Sequence, residues 1–184
     1  MKKAFLFSLF LLFSLATTAQ TYIKANALTA LVVVPNIGIE TSINKKTTFQ
    51  TDMLASFWKS INGLPFKFVT VTTEFRHHFY GKYNGPFVGL NIGGSSYDVS
   101  KGSHAKLNEH EIGFGYMIGT SVGYEKKIND KLLLDFFVGG GWHQGYYRGY
   151  NILTGERYES VKNYNKSGEW LTYRGGIMIS YKLN

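Results

Sequence analysis

The most regular stretch of the chain runs from Phe68 to Gly94. Val69, Val71, Thr73, Phe75, His77 and Phe79 alternate there with Thr70, Thr72, Glu74, Arg76 and His78. The odd positions are mostly apolar or β-branched, and the even positions carry hydroxyls and charges. A strand sends successive side chains to opposite faces, so this order separates an apolar face from an ionic one. Gly81-Lys82-Tyr83-Asn84-Gly85 makes a turn, and Pro86 to Gly94 returns with Val88, Leu90 and Ile92 on one face.

The same period of two recurs along the chain. Tyr22 to Val34 is expected as a first strand, broken by Pro35-Asn36. Ile37, Ile39, Thr41 and Ile43 mark a second, followed by the Asn44-Lys45-Lys46 turn. Phe49, Thr51, Met53, Ala55 and Phe57 alternate with Gln50, Asp52, Leu54 and Ser56 in a third, and Trp58 to Pro65 is a loop. Beyond the central hairpin come a polar loop from Asp98 to His110 and a strand from Ile112 to Glu125. The Asn129-Asp130-Lys131 turn leads into a strand from Leu132 to His143. Arg148 to Glu169 is the longest loop, and Thr172 to Leu183 is the last strand. Each strand is close to the roughly 9 to 11 residues a tilted strand needs to cross a bilayer. The expected fold is all-β: one eight-stranded antiparallel up-and-down transmembrane β-barrel over residues 21–184.

Composition agrees with many short strands. The chain is 44% hydrophobic and 16% aromatic with 21 glycines, yet it has no long apolar run beyond its start. Residues 1–20 are expected to be a cleaved secretory signal peptide. Lys2 and Lys3 precede an apolar core from Ala4 to Leu15, and Thr17-Thr18-Ala19 is a small-residue cleavage site. Export implies a cell envelope. With no cysteine, disulfides, cysteine metal sites and cysteine-linked lipid anchors are excluded.

Alternating faces can close in two ways: apolar side inward, as in a soluble lipocalin-like carrier, or apolar side outward against lipid. The polar face here mixes Glu40, Asp52, Glu74, Arg76, Glu125, Asp135 and Arg174 with many glycines and serines. Ion-paired side chains packed against glycines can fill a narrow lumen, so these seven are the expected lumen network. Aromatics mark both ends of the apolar face: Phe57, Trp58, Phe66, Tyr97, Phe114, Trp142 and Trp170 at one, Phe49, Phe79, Tyr124 and Tyr181 at the other. Such girdles are expected at membrane interfaces. Short turns at 44–46, 81–85 and 129–131 alternate with mostly longer connections, Val34-Pro35-Asn36 being the exception. The location expected is therefore the outer membrane of a Gram-negative bacterium, with both termini periplasmic and lipid as the immediate partner.

Candidate chemistry is sparse. The Gly113–Gly119 and Gly139–Gly141 runs precede no helix, so they are bent-strand glycines rather than phosphate loops. His77 and His78 are adjacent, so they face opposite sides: His78 joins the lumen and His77 lies near an interface. His104, Glu109, His110 and Glu111 are dense in ligand types at irregular spacing. Ser95, Ser96, Asp98, Ser103 and His104 offer hydrolase types near the outer rim without a recognisable local signature. No catalytic, metal or cofactor residues are therefore expected. Lys24, Lys45, Lys46, Lys82, Lys126, Lys127, Lys131 and Lys182 map to periplasmic strand ends, where they suit lipid phosphates. Export makes nucleic acid an unexpected partner. Tyr150, Tyr158, Tyr164 and Trp170 in and beside the 148–170 loop are candidates for docking another envelope protein.

Four segments carry a family resemblance: "LVVVPNIGIE" (Leu31–Glu40), "EFRHHF" (Glu74–Phe79), "FVGLNIGG" (Phe87–Gly94) and "GYEKKINDKLLLDFFVGGG" (Gly123–Gly141). Together they resemble an uncharacterised family of small outer-membrane β-barrel proteins of the Bacteroidota. The resemblance implies the barrel and no activity. At eight strands side chains about fill the interior, so the functional expectation is a non-enzymatic structural or interaction protein of the envelope. A lipid-modifying membrane enzyme and a soluble periplasmic carrier are the alternatives.

Overall fold

The computed structural model describes residues 19–59, 63–100, 106–158 and 163–184. The bulk of the signal segment, and Ser103 and His104, lie outside them. Eight strands follow one another: β1 (Thr21–Asn26), β2 (Asn36–Ser42), β3 (Thr47–Lys59), β4 (Pro65–His78), β5 (Gly85–Val99), β6 (Glu109–Lys127), β7 (Leu132–Asn151) and β8 (Asn165–Lys182). Each pairs antiparallel with its sequence neighbours, and β1 also pairs with β8, which closes the ring into a barrel. The termini and the three short turns share one end, called here the terminal end. The longer connections share the far end.

The alternation places side chains as the period of two demands. Ile39, Met53, Val71, Phe75, Leu90, Ile92, Ile118, Val122, Val138 and Ile179 face outward and are exposed. Lys24, Glu40, Gln50, Asp52, Glu74, Arg76, Glu125, Asp135 and Arg174 face inward and are buried. This distribution is the reverse of a soluble domain, where large apolar side chains are inside and ionised ones are rarely buried.

Four expected boundaries move. The loop expected from Trp58 to Pro65 loses both ends, since β3 runs to Lys59 and β4 starts at Pro65. The first strand ends at Asn26 rather than Val34, because α1 (Ala27–Leu31) replaces its second half. The Asn26 side chain caps α1, with Oδ1 accepting from the backbone N–H of Leu28 (3.2 Å) and Thr29 (3.5 Å). A local cap of this kind competes successfully with strand pairing. The polar loop expected from Asp98 to His110 loses both its ends to strand, since β5 runs to Val99 and β6 starts at Glu109, with pairing out to Val99 and Glu111. The loop expected from Arg148 to Glu169 likewise loses its ends, because β7 pairs with β6 as far as Asn151 and β8 starts at Asn165. As a result Tyr150 belongs to β7 and Trp170 to β8, leaving Tyr158 and Tyr164 in the connection.

A bulge refines the last strand. Gly139 pairs with Arg174 and Gly141 with Leu171, so β8 carries one extra residue there. An extra residue reverses which face a given parity occupies. Below the bulge the even positions Arg174, Met178 and Ser180 point inward and are buried. Above it the even position Trp170 points outward, 77% exposed.

The wall is uneven. β1 and β2 have 6 and 7 residues, against 13 to 20 for the other strands. Above them α1 and Val32–Val34 fill the gap, held by Trp58 Nε1 donating to the Val33 carbonyl at 2.6 Å. Replacing Asn26 with Ala should remove a cap worth about 0.5–2 kcal/mol. Hydrogen exchange at the Leu28 and Thr29 amides should speed up several-fold while the β6 and β7 amides keep wild-type protection. Equal acceleration in β6 would show that Asn26 supports the whole ring instead.

Candidate functional site

The lumen has three levels. At the terminal end Tyr22, Tyr83 and Leu133 pack together, each at most 2% exposed, and plug the ring. Tyr83 projects in from the β4–β5 turn at a positive φ of 60°. Its hydroxyl donates to the Gln20 carbonyl at 2.6 Å, and its ring lies 4.7 Å from Tyr22. Burial pushes the Tyr83 phenol well above its ordinary value, so it stays a neutral donor.

Above the plug sits the ionic network. All seven residues expected from the sequence are there, joined by one that was misassigned. Lys24, expected on the basic rim, is completely buried at the centre of the network. Its ammonium lies 2.5 Å from Glu40, 2.6 Å from Asp135 and 3.1 Å from Glu125, with the Gln50 carbonyl oxygen also at 3.1 Å. Proximity to the chain start suggested the rim, but the inward parity it shares with Tyr22 and Asn26 points to the lumen. Arg76 is the second hub: Nε binds Glu74 at 2.6 Å and Nη1 binds Asp135 at 2.6 Å, with Glu125 and Glu40 at 3.3 and 3.4 Å. Arg174 joins Asp52 at 2.7 Å to Glu74 at 3.3 Å.

Aromatic and small residues make room for these charges. The Arg76 guanidinium lies 4.4 Å over the Phe87 ring, and the Arg174 guanidinium 5.4 Å from Phe137. On Gly139 an added Cβ would come within 3.0 Å of the Arg174 side chain. Gly89, where an added Cβ would meet the Glu74 carboxylate, and Gly139 therefore clear volume for ionic side chains. At the terminal end of the network Glu40, His78 and Glu125 converge, their nearest ligand-type atoms all within 4.8 Å of one another.

The upper lumen is polar and partly open. A cavity of about 310 Å³ is lined by Asn26 and Thr29 below the gap in the wall, and by Asp52, Thr72, Tyr173 and Arg174 across from it. The Tyr173 hydroxyl donates to Asn91 Oδ1 at 2.5 Å. Farther up, Ser95 Oγ of β5 lies 3.1 Å from His143 Nε2 of β7. These residues are two strands apart, and they meet because Gly115 of β6 lies between them. A Cβ on Gly115 would stand 2.6 Å from His143 Nε2. In the β7–β8 register His143 is paired with Glu169, on the same inner face.

The expected hydrolase types are thus split. Ser95 faces inward, whereas Ser96 and Asp98 belong to the outer face of β5. Asp98 Oδ1 there meets His110 Nδ1 at 2.6 Å, with the Tyr150 ring 6.0 Å from His110. His143 was not singled out, although its odd position continues the inward series of Asp135 and Phe137; its partner is distant in sequence. The aromatics expected to dock a partner also divide. Tyr164 stacks edge-on to Phe114 at 5.5 Å under Arg148 at 4.6 Å, and Trp170 meets Trp142 at 6.1 Å, all on the outer wall.

With that geometry in hand, a family can be assigned. The chain belongs to the family described as Protein of unknown function (DUF3575), whose model matches residues 4–183. No curated protein matches it. Membership therefore supports the expected uncharacterised family across nearly the whole chain and carries no activity with it.

The network makes a stability prediction. Removing one member of a buried ion cluster leaves its partners uncompensated, at about 3–5 kcal/mol. Arg76→Ala should lower the free energy of unfolding in detergent micelles by that order, whereas Lys126→Ala on the exposed rim should change it by less than about 0.5 kcal/mol. Urea titration followed by tryptophan fluorescence measures both, and equal small effects would dissolve the network as a stabilising unit.

Proposed function

We propose that this protein is a non-conducting outer-membrane β-barrel that serves as a structural or interaction component of a Gram-negative cell envelope. The observation that carries this proposal is the inverted burial: an ionic interior inside an apolar, exposed wall. An apolar wall that faces water is a cost; against lipid it is the expected partner. A soluble carrier would instead need an apolar interior, whereas most buried side chains within this ring are polar or charged. The Tyr22–Tyr83–Leu133 plug and the ion network argue against a permeation role, since they occupy the axis on which a channel would run.

In this reading the terminal end is periplasmic. Lys45, Lys46, Lys126, Lys127 and Lys131 are exposed around it, placed to meet lipid phosphates. The aromatic clusters of Phe114, Tyr146 and Tyr164, and of Trp142 and Trp170, would sit at headgroup level on the opposite side. They offer contact area to lipid or to an envelope partner. Expressed with its leader in a Gram-negative host, the protein should fractionate with the outer membrane and migrate faster before boiling than after. In planar bilayers it should give no discrete conductance steps. Release by osmotic shock without detergent would remove the membrane assignment, and stable channel openings would remove the non-conducting one.

The Ser95–His143 contact favours a second reading, a lipid-modifying hydrolase. A serine hydroxyl within reach of an imidazole is the nucleophile–base half of an acyl-transfer site. Ser95 Oγ would attack an ester carbonyl while His143 Nε2 takes its proton and later passes it to the leaving alcohol. Water then releases the acyl group from Ser95. Short-chain nitrophenyl esters in detergent, and acyl-chain profiles of the host's lipids by mass spectrometry, test this. Turnover that falls at least a hundredfold in Ser95→Ala and His143→Ala would make the protein an enzyme. Unchanged esters and unchanged lipids in the wild type would leave the scaffold reading alone.

A further inference from the structure

The ionic network of the lumen does not balance. Lys24, Arg76 and Arg174 bring three positive charges, while Glu40, Asp52, Glu74, Glu125 and Asp135 bring five negative ones. Two negative charges are left over among side chains that are almost entirely shielded from solvent. Unmatched charge in such an interior is strongly unfavourable, and a domain's net stability is too small to absorb it. Something must neutralise the excess.

The local geometry shows where. Glu125 Oε1 faces Lys24 and Arg76, but Glu125 Oε2 is fully buried without a hydrogen-bond partner. Facing it at 3.7 Å is His78 Nδ1, also buried and without a hydrogen-bond partner. The tautomer of the neutral ring follows from its other edge. Thr48 has one hydroxyl proton and donates it to Glu40 Oε1 at 2.5 Å. The contact of Thr48 Oγ1 with His78 Nε2 at 3.0 Å must then be donated by Nε2–H. In the neutral ring Nδ1 is left with its lone pair, aimed at a carboxylate oxygen that also offers a lone pair. Two electron-pair donors facing each other need an electrophile between them. A separation of 3.7 Å is too long for a hydrogen bond, yet it spans a metal ion with bonds of about 2.0–2.2 Å on each side.

We propose that Glu40, His78 and Glu125 bind one divalent cation, with zinc the best chemical fit. Its two charges cancel the excess of the network. One imidazole with two carboxylates suits a borderline first-row ion, whereas calcium and magnesium prefer six or more oxygens, several of them water. Thr48 holds the His78 ring through the nitrogen that does not bind the metal, as second-shell partners of metal-bound histidines do. The ligands come from β2, β4 and β6, so the ion ties three non-adjacent strands across the lumen. The plug of Tyr22, Tyr83 and Leu133 covers the site from the terminal end, so the ion enters before the ring closes and does not exchange afterwards.

Elemental analysis of protein purified without chelator provides the first test. About one zinc per chain should survive an EDTA wash of the folded protein. His78→Ala and Glu125→Gln should lose it, while His77→Ala, on the outer face, should keep it. The second test needs no variant to fold. Wild-type protein unfolded in urea with EDTA, then refolded into detergent micelles, should regain its original melting temperature with equimolar zinc sulfate and melt lower with chelator alone. Metal-free wild type that refolds to the same melting temperature in both conditions would overturn the proposal, assigning the two missing charges to protons. Both measurements stand whether or not the protein proves to reside in a membrane.

Discussion

Five carboxylates enclosed by a ring of strands set the terms for everything else in this protein. Carboxylates at such density are tolerable only if cations are delivered to them at hydrogen-bond distance, and Lys24 and Arg76 each touch at least three. Long basic side chains need room, which Gly139 supplies beside Arg174, while Gly113, Gly119 and Gly123 make room for inward aromatic rings. The basic side chains also need walls that do not compete for their protons, which Phe87, Phe137 and Met178 supply as a buried apolar layer. The outward apolar face then follows from alternation: every second residue is committed to the lumen, and the rest are free to be Ile, Leu, Val and Phe.

Much of this was legible in the sequence because a period of two is a strong signal when one parity is ionic. Glu74 and Arg76, two residues apart, declare a lumen face before any pairing is known. The failures share a physical cause: each depends on a neighbour that is remote in the chain or on a local hydrogen bond that interrupts the period. Asn26 ends β1 by capping α1, although Leu31-Val32-Val33-Val34 has the composition of a strand. The bulge at Gly139–Gly141 flips the upper half of β8, and nothing in Thr172 or Tyr173 announces it. The long loop expected after Arg148 gives up both its ends to strand, to β7 as far as Asn151 and to β8 from Asn165, because glycine and tyrosine read as loop residues until a neighbouring strand is there to pair with them. His143 and Ser95 lie in strands separated by a third, so only Gly115, an absence of side chain, brings them together.

The two ends of the lumen are built for different work. The terminal end is sealed by tyrosine rings over a dense ionic cluster, which leaves room for nothing larger than an ion. Toward the far end the residues become threonines, asparagines, Tyr173 and the Ser95–His143 pair, around a cavity of about 310 Å³. The short β1–β2 side places the open part of the lumen beneath α1, the least embedded element of the wall.

The position of Lys24 has a consequence for how the chain folds. Lys24 lies on β1, the strand whose pairing with β8 shuts the ring. Its carboxylate partners on β6 and β7 are more than a hundred residues away in sequence. Contacts of such range form late, after the loop entropy of the intervening chain has been overcome. Glu40 meets Lys24 across the neighbouring β1–β2 pair, only 16 residues away, whereas Glu125 and Asp135 reach the same ammonium only when β1 docks on β8. Seam formation and charge neutralisation become a single cooperative event. Until β1 docks, the incomplete sheet has an electrostatic reason to avoid closing in the wrong register.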